Sequence, residues 1–333
     1  MNEVQLTIDE IKSIARDCLE RHGCNAANAD AVAEIIAMAE GDGCHSHGLM
    51  RLGGYVAALK SGKVNGSAEP FTQQLAPAVI RVNGDSGFAP LALQCGRQPL
   101  IDAAKKNGIA ALPLINIHHF AALWTEIEPV ASAGLCVMAC TSYKPAVIPA
   151  GGSKALYGTN PFAFGWPRGS SPPMIFDQAS SVVARGEVML AAREGHSLAA
   201  GVGVDADGNP STDPDEVLKG ALLAFGGHKG SSIAMMVELL AGALIGESLS
   251  VEAAVRDNND GGPPQGGEFM LAMNPDLFGD AEGWNTRAER LFEEIVAQDG
   301  ARLPGDRRYR CRNAASENGV RISRSVYNKI LEL

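Results

Sequence analysis

His45-Ser46-His47-Gly48 followed by Arg51 combines a proton donor with an anion anchor in one short stretch. Ser46 is placed to cap a helix, which puts His47 in the first turn. His47 and Arg51 are then i,i+4 neighbours on one helical face, with Cβ atoms roughly 6 Å apart. At that spacing Arg51 can grip a carboxylate through two parallel hydrogen bonds while His47 addresses the adjacent atom. Leu49, Leu52 and Tyr55 supply an apolar stripe to seat the helix. Read without chemistry, the stretch is a capping serine, a buried histidine and a surface arginine.

The elements around this stretch follow from periodicity. Thr7-Ile8-Asp9-Glu10 is a capping-box pattern, with Ile11, Ile14, Cys18 and Leu19 following at helical spacing. A second helix is predicted over about 27–39, and a third carries His47 and Arg51 as far as Gly62. A strand over 78–82, a helix over 91–106 and a strand over 109–114 come next. The run His118 to Trp124 opens a helix ending near Gly134. Apolar runs at 135–141, 162–166 and 174–177 read as strands, and 182–193 as a helix. Gly226-Gly227-His228-Lys229-Gly230-Ser231 leads into an apolar helix over 233–245. A strand over 269–273, a helix over 287–298 and a terminal helix from Ser323 complete the pattern. Helices alternating with strands give an α/β architecture. The division expected is 1–75 as a helical region packing with 310–333, and 76–309 as the nucleotide and substrate core.

Composition bounds the function. The chain has 333 residues, is 46% hydrophobic and carries a formal charge of −10, which disfavours nucleic-acid binding. The longest apolar stretch, 233–246, contains Glu238 and is too short to cross a membrane. Met1 to Glu10 is polar and acidic, unlike a secretory leader, so a cytoplasmic location is expected. Seven scattered cysteines, four of them in apolar stretches, argue against a disulfide framework. His45 and His47, with His118, His119 and His228, invite a metal. The pair has the wrong register for a helical ligand set, and no run of acidic residues completes it, so no metal is expected.

Neither G-x-G-x-x-G nor a Walker pattern occurs. Three other segments are placed to hold phosphates. Gly226–Ser232 is a glycine-rich entry to a helix; its plain reading is a tight turn before a core helix. Arg302 to Arg312 packs five arginines into a short run, suited to a pyrophosphate or ribose phosphate, or else to a solvated or subunit-facing loop. His119–Leu123 offers backbone, or simply a packed helix start.

Taken together, several stretches resemble the non-Rossmann malate/L-lactate dehydrogenase family of NAD(P)-dependent oxidoreductases. They are His45-Ser46-His47-Gly48-x-x-Arg51, His119-Phe120-x-x-Leu123-Trp124, Tyr157-Gly158-Thr159-Asn160-Pro161, Thr212-Asp213-Pro214 and Gly226-Gly227-His228-Lys229-Gly230. Tyr143-Lys144-Pro145 and the wording from Phe176 to Met189 are most similar to the branch of Δ1-piperideine-2-carboxylate/Δ1-pyrroline-2-carboxylate reductases. The resemblance implies a predominantly antiparallel central sheet flanked by helices, and a homodimer. It implies His47 as proton donor, supported by Ser46 and by Glu187, a longer carboxylate where the branch carries Asp. Arg51 and Thr159 would hold the substrate carboxylate. Nucleotide contacts would fall on His119, Phe120, Ala121, Ala122 and Leu123, on Asp177, Gln178 and Ala179, on His228 and Lys229, and on Gly300–Asp306, including Arg302, Pro304, Gly305 and Asp306.

The activity so implied is NADPH-dependent reduction of cyclic imino acids to L-pipecolate and L-proline, with NADH as a possible substitute. Hydride reaches C2, the nitrogen gains a proton, and the nicotinamide carries the hard step without a metal. Arg51 and His47 would serve a C=O equally well. The alternative is therefore a 2-oxo acid reductase or 2-hydroxy acid dehydrogenase of malate, lactate or ureidoglycolate type. A catalytically silent nucleotide-binding scaffold is disfavoured by the complete set Ser46, His47, Arg51, Thr159 and Glu187.

Overall fold

In the computed structural model, which describes residues 3–333, the central element is a seven-stranded mixed sheet. Its order is Phe71–Ala76, Val79–Phe88, Ile109–His118, Gln265–Met273, Cys136–Thr141, Phe162–Arg168, Ser171–Gln178. Every pairing is antiparallel except that of Val79–Phe88 with Ile109–His118. The predominantly antiparallel α/β sheet expected from the resemblance is what the chain forms. Most of the strands are longer than the apolar runs, because backbone pairing also takes in buried polar residues such as His118 and Glu268.

Helices Ala89–Asn107 and Leu123–Ser132 cover one face of the sheet. There Leu93, Leu100, Leu123, Trp124, Ile127 and Val130 pack against Val82, Leu112, Leu114, Val137 and Met270. Helix His228–Glu238, continued by the wider π-turn Leu239–Ala243, puts Val237 and Ala241 against Cys140 and Phe269. A four-stranded sheet (Pro210–Ser211, Gly203–Val204, Ala221–Leu223, Val147–Ile148) stands apart with its own small core. These strands are too short to be signalled by periodicity.

Helices Ile8–Arg21 and Ala26–Gly41 form as the sequence indicates, and both halves of the Thr7/Glu10 capping box are made. Their core includes Ala315, Val320, Ile322 and Ile330, and strand Glu3–Leu6 pairs with Val320–Ser323. All seven cysteines are free thiols, and Cys136 and Cys140 lie in a strand. No helix among the described residues is long and apolar enough to cross a membrane.

Two local readings are corrected. The stretch around His47 is not one α-helix. His45–His47 and Leu49–Arg51 are separate 3-10 turns, and the α-helix begins at Leu52. The cause is Glu40, whose buried carboxylate accepts the Leu49 N–H (2.7 Å) and pairs with His45 Nδ1 (2.5 Å). Gly48 makes room for it, since a Cβ there would overlap the Glu40 side chain. Ser46 accordingly caps nothing. The arginine-rich run, to which the sequence pattern assigns no helix, contains the helix Asp306–Asn318, entered through Gly305 at φ +92°. Arg308 pairs there with half-buried Asp177, and Arg312 with buried Asp42 and half-buried Glu128.

Candidate active site

One recess gathers much of the expected site. Its lining includes His47, Arg51, His119, Phe120, Ala121, Thr159, Asp177, Gln178 and Ala179. These residues come from separate parts of the chain, and the fold brings them together at one end of the large sheet.

Although the helical register is lost, His47 and Arg51 still meet. Arg51 Nε donates to the Ser46 carbonyl oxygen (2.7 Å), and its guanidinium lies 4.8 Å from the centre of the Phe120 ring. Among the described residues, no hydrogen-bond partner takes either terminal guanidinium nitrogen, the fork a carboxylate requires. Ser46 Oγ sits 3.1 Å from His47 Nδ1, and the Trp124 ring meets the imidazole edge-on at 5.5 Å. Burial first, then the charge of Arg51 and of His119, lowers His47 to about 3. The surroundings thus favour neutral His47.

Thr159 faces these groups from a tightly fixed segment. Its carbonyl accepts the Ser180 N–H (2.7 Å), while the buried side chain of Asn160 donates to Glu238 (2.8 Å) and accepts from the Tyr143 amide (3.2 Å). Asp177 pairs with Arg308 (3.0 Å), and burial raises its carboxyl despite that arginine. Gly186 packs on Ser46 and Arg51 so closely that a Cβ would lie 3.0 Å from an Arg51 nitrogen.

The remaining expected residues lie elsewhere. Ala122 and Leu123 are buried behind the recess at the start of the helix that follows. Glu187, in the first turn of helix Arg185–Glu194, is exposed; its charge acts on His45 rather than on His47. His228 and Lys229 are exposed at a helix start beside a groove lined by Gly226, Gly227 and Val182. Chain segment 177–182 connects that groove to the recess. Arg302, Pro304 and Asp306 line another groove with Tyr309 and Arg310, while Gly305 lies against the Ile175 backbone. Of the five arginines, Arg308 is engaged by Asp177 and Arg312 by Asp42 and Glu128, which leaves Arg302, Arg307 and Arg310 exposed. The grip on a phosphate expected of the whole run is therefore reduced to three side chains.

Tyr143, Arg185 and Met189 also wall the recess. Trp124 is buried, with its indole N–H donating to Asp42 (2.8 Å). Sequence spacing missed Glu126 and Glu268, which converge on His119. Their separation along the chain leaves no local signal.

The chain matches the family model described as malate/L-lactate dehydrogenase over residues 6–331. It belongs to the malate/L-lactate dehydrogenase family. The Δ1-pyrroline-2-carboxylate reductase of Ancylobacter novellus is 47% identical over 99% of this chain and 97% of its own length. The Δ1-pyrroline-2-carboxylate/Δ1-piperideine-2-carboxylate reductase of Pseudomonas aeruginosa is 45% identical over 99% of both chains. The crystal structure of Δ1-piperideine-2-carboxylate reductase from Pseudomonas syringae pathovar tomato superposes with a TM-score of 0.94 at 40% identity, covering 99% of each chain. The chain is thus a dehydrogenase-family oxidoreductase, and membership implies a nicotinamide cofactor. The residues fit such a group. Ala121, Ala179, Ala184 and Gly186 leave the recess wall low enough for a flat ring. Gly226 and Gly227, at φ +54° and +63°, bare the backbone leading into helix His228–Glu238.

Proposed function

We propose that this chain reduces the cyclic imino acids Δ1-pyrroline-2-carboxylate and Δ1-piperideine-2-carboxylate to L-proline and L-pipecolate, using NADPH. The observation that carries this reading is the convergence of a free arginine fork, Thr159 and His47 on one recess. Relatives named for these substrates match the chain along its whole length.

Arg51 and Thr159 hold the substrate carboxylate, which sits on the imine carbon. His47 then lies one bond further on, at the nitrogen. The nicotinamide, when bound, supplies the hydride that C2 accepts. One proton must also reach nitrogen, and His47 delivers it. The substrate itself prepares that step: its carboxylate neutralises Arg51, removing one of the charges that hold His47 unprotonated. Ser46 orients the imidazole through Nδ1. Glu187 serves at longer range, through the His45 turn.

The cofactor lies along His119–Leu123 and Asp177–Ala179, with phosphates toward His228 and Lys229. Preference for NADPH over NADH rests on exposed Arg302 and Arg310 beside Pro304, Gly305 and Asp306. Met235, Leu239 and Leu244 form an exposed apolar face suited to a second copy of the chain, which supports a homodimer. Residues 1–75 with 310–333 form the region carrying His47 and Arg51, and 76–309 the nucleotide and substrate core. The enzyme works in the cytoplasm on a small-molecule substrate.

The test is NADPH consumption with the two cyclic imines, pyruvate and oxaloacetate. Imines should give the highest kcat/KM, and NADPH should surpass NADH. A preference for an oxo acid would replace this reading by a 2-hydroxy acid dehydrogenase.

A further inference from the structure

The recess rests on a strained turn. Ala121 has φ +53°, a left-handed conformation that disfavours any residue with a Cβ. It belongs to the turn joining strand Ile109–His118 to helix Leu123–Ser132. Side chains hold the turn in that shape. The Ala121 N–H donates to His119 Nδ1 (3.1 Å), and the Ala122 N–H donates to Glu126 Oε1 (3.1 Å). His119 Nε2 lies 3.0 Å from Glu126 Oε1 and 3.0 Å from Glu268 Oε2. Glu268, fully buried, arrives from strand Gln265–Met273 just past its bulge.

Counting protons decides what this cluster is. Nδ1 accepts a hydrogen bond, so it carries a lone pair and the ring proton sits on Nε2. One N–H cannot serve two carboxylates, and neither oxygen lies in line with it. Glu126 Oε2 and both oxygens of Glu268 have no other hydrogen-bond partner. Two ionised carboxylates side by side in such burial repel strongly. Burial, and then the charge of Glu126 within hydrogen-bonding range, pushes Glu268 up to about 8. Burial opposes an added charge on His119, but Glu126 and Glu268 prevail and raise it to about 10. A second ring proton, however, would point Nδ1–H at the Ala121 N–H. Placing that proton on Glu268 gives the cluster the same net charge without the clash.

We propose that Glu268 is a positioning residue. As a neutral carboxylic acid hydrogen-bonded to Glu126, it completes a clasp that fixes His119 and the Ala121 turn for the nicotinamide nucleotide. This inference rests on the functional reading above for its ligand. The three side chains are also close enough to hold a metal ion. A metal on Nε2 would move the ring proton to Nδ1, against the Ala121 amide, so the geometry favours a proton.

Glu268→Gln keeps a neutral donor and Glu268→Leu removes it. NADPH affinity, read by fluorescence titration without substrate, should stay within about threefold of wild type for Glu268→Gln. It should weaken on the order of tenfold or more for Glu268→Leu, since buried oxygens lose their donor. The KM for NADPH should rise more than kcat falls. Infrared difference spectra of the wild type near neutral pH should contain a protonated-carboxyl band that Glu268→Gln lacks. A Gln variant as impaired as the Leu variant, a wild type without the band, or one metal ion per chain by elemental analysis would overturn the clasp. If the wild type shows the band yet binds no nicotinamide nucleotide, the functional reading fails and the protonated pair stands.

Discussion

Arg51→Met isolates the anchor on which the substrate geometry depends. The Met stem still fills the space over Phe120, so packing changes little while the guanidinium is lost. Its free terminal nitrogens are assigned two charge-assisted hydrogen bonds to the substrate carboxylate. Bonds of that kind contribute about 1.5–3 kcal/mol each, and solvent recovers part when they are lost. A net loss of about 3 kcal/mol raises KM for the imine on the order of 100-fold. The effect on kcat should be smaller, within about tenfold, because His47 remains in place. The substitution also removes one of the charges depressing His47, so the imidazole should titrate at higher pH than in the wild type. The assay is steady-state turnover across imine concentration at saturating NADPH, with cofactor affinity measured separately. An imine KM within about threefold of wild type would refute the carboxylate-anchor reasoning.

Other expected outcomes follow from the same contacts. In the free enzyme, His47 should titrate by NMR well below the usual 6.5, near 3, and should move upward when L-proline occupies the recess; an unshifted titration would contradict the substrate-assisted proton. Asp260 is held at about 2, with burial opposing and Lys63, Ser61 and the Gly262 amide prevailing. A depressed folded-state carboxyl stabilises the fold fully above about pH 4 and loses that contribution as pH falls toward 2. Lys63→Met should therefore flatten the acid dependence of urea unfolding between those limits, and an unchanged slope would count against it. Arg312 bridges fully buried Asp42 and half-buried Glu128, and Asp42 also accepts the Trp124 indole N–H (2.8 Å). Arg312→Met should cost about 3 kcal/mol in denaturant unfolding by stranding Asp42, where a loss under about 0.5 would contradict the network.

What the sequence made legible was local or compositional. The Thr7/Glu10 capping box, the apolar helices and the central strands depend on neighbours within a few residues, and each is formed. His47, Arg51, Thr159 and Asp177 were identifiable by type and wording, and they line one recess. The helix assigned to His47 was not legible, because Glu40 from the preceding helix takes the Leu49 amide and breaks the register. The role of the arginine run was obscured likewise, since Asp42, Glu128 and Asp177 claim two of its members from a distance. Glu268 gave no signal at all. Its partner His119 becomes its neighbour only when strand Gln265–Met273 pairs with Ile109–His118, the strand that leads into His119.

The most direct test of the central claim is turnover of His47→Ala with Δ1-pyrroline-2-carboxylate at saturating NADPH. Loss of the proton donor should lower kcat by roughly 100- to 10,000-fold while NADPH still binds as in the wild type. Wild-type turnover by that variant would contradict the account.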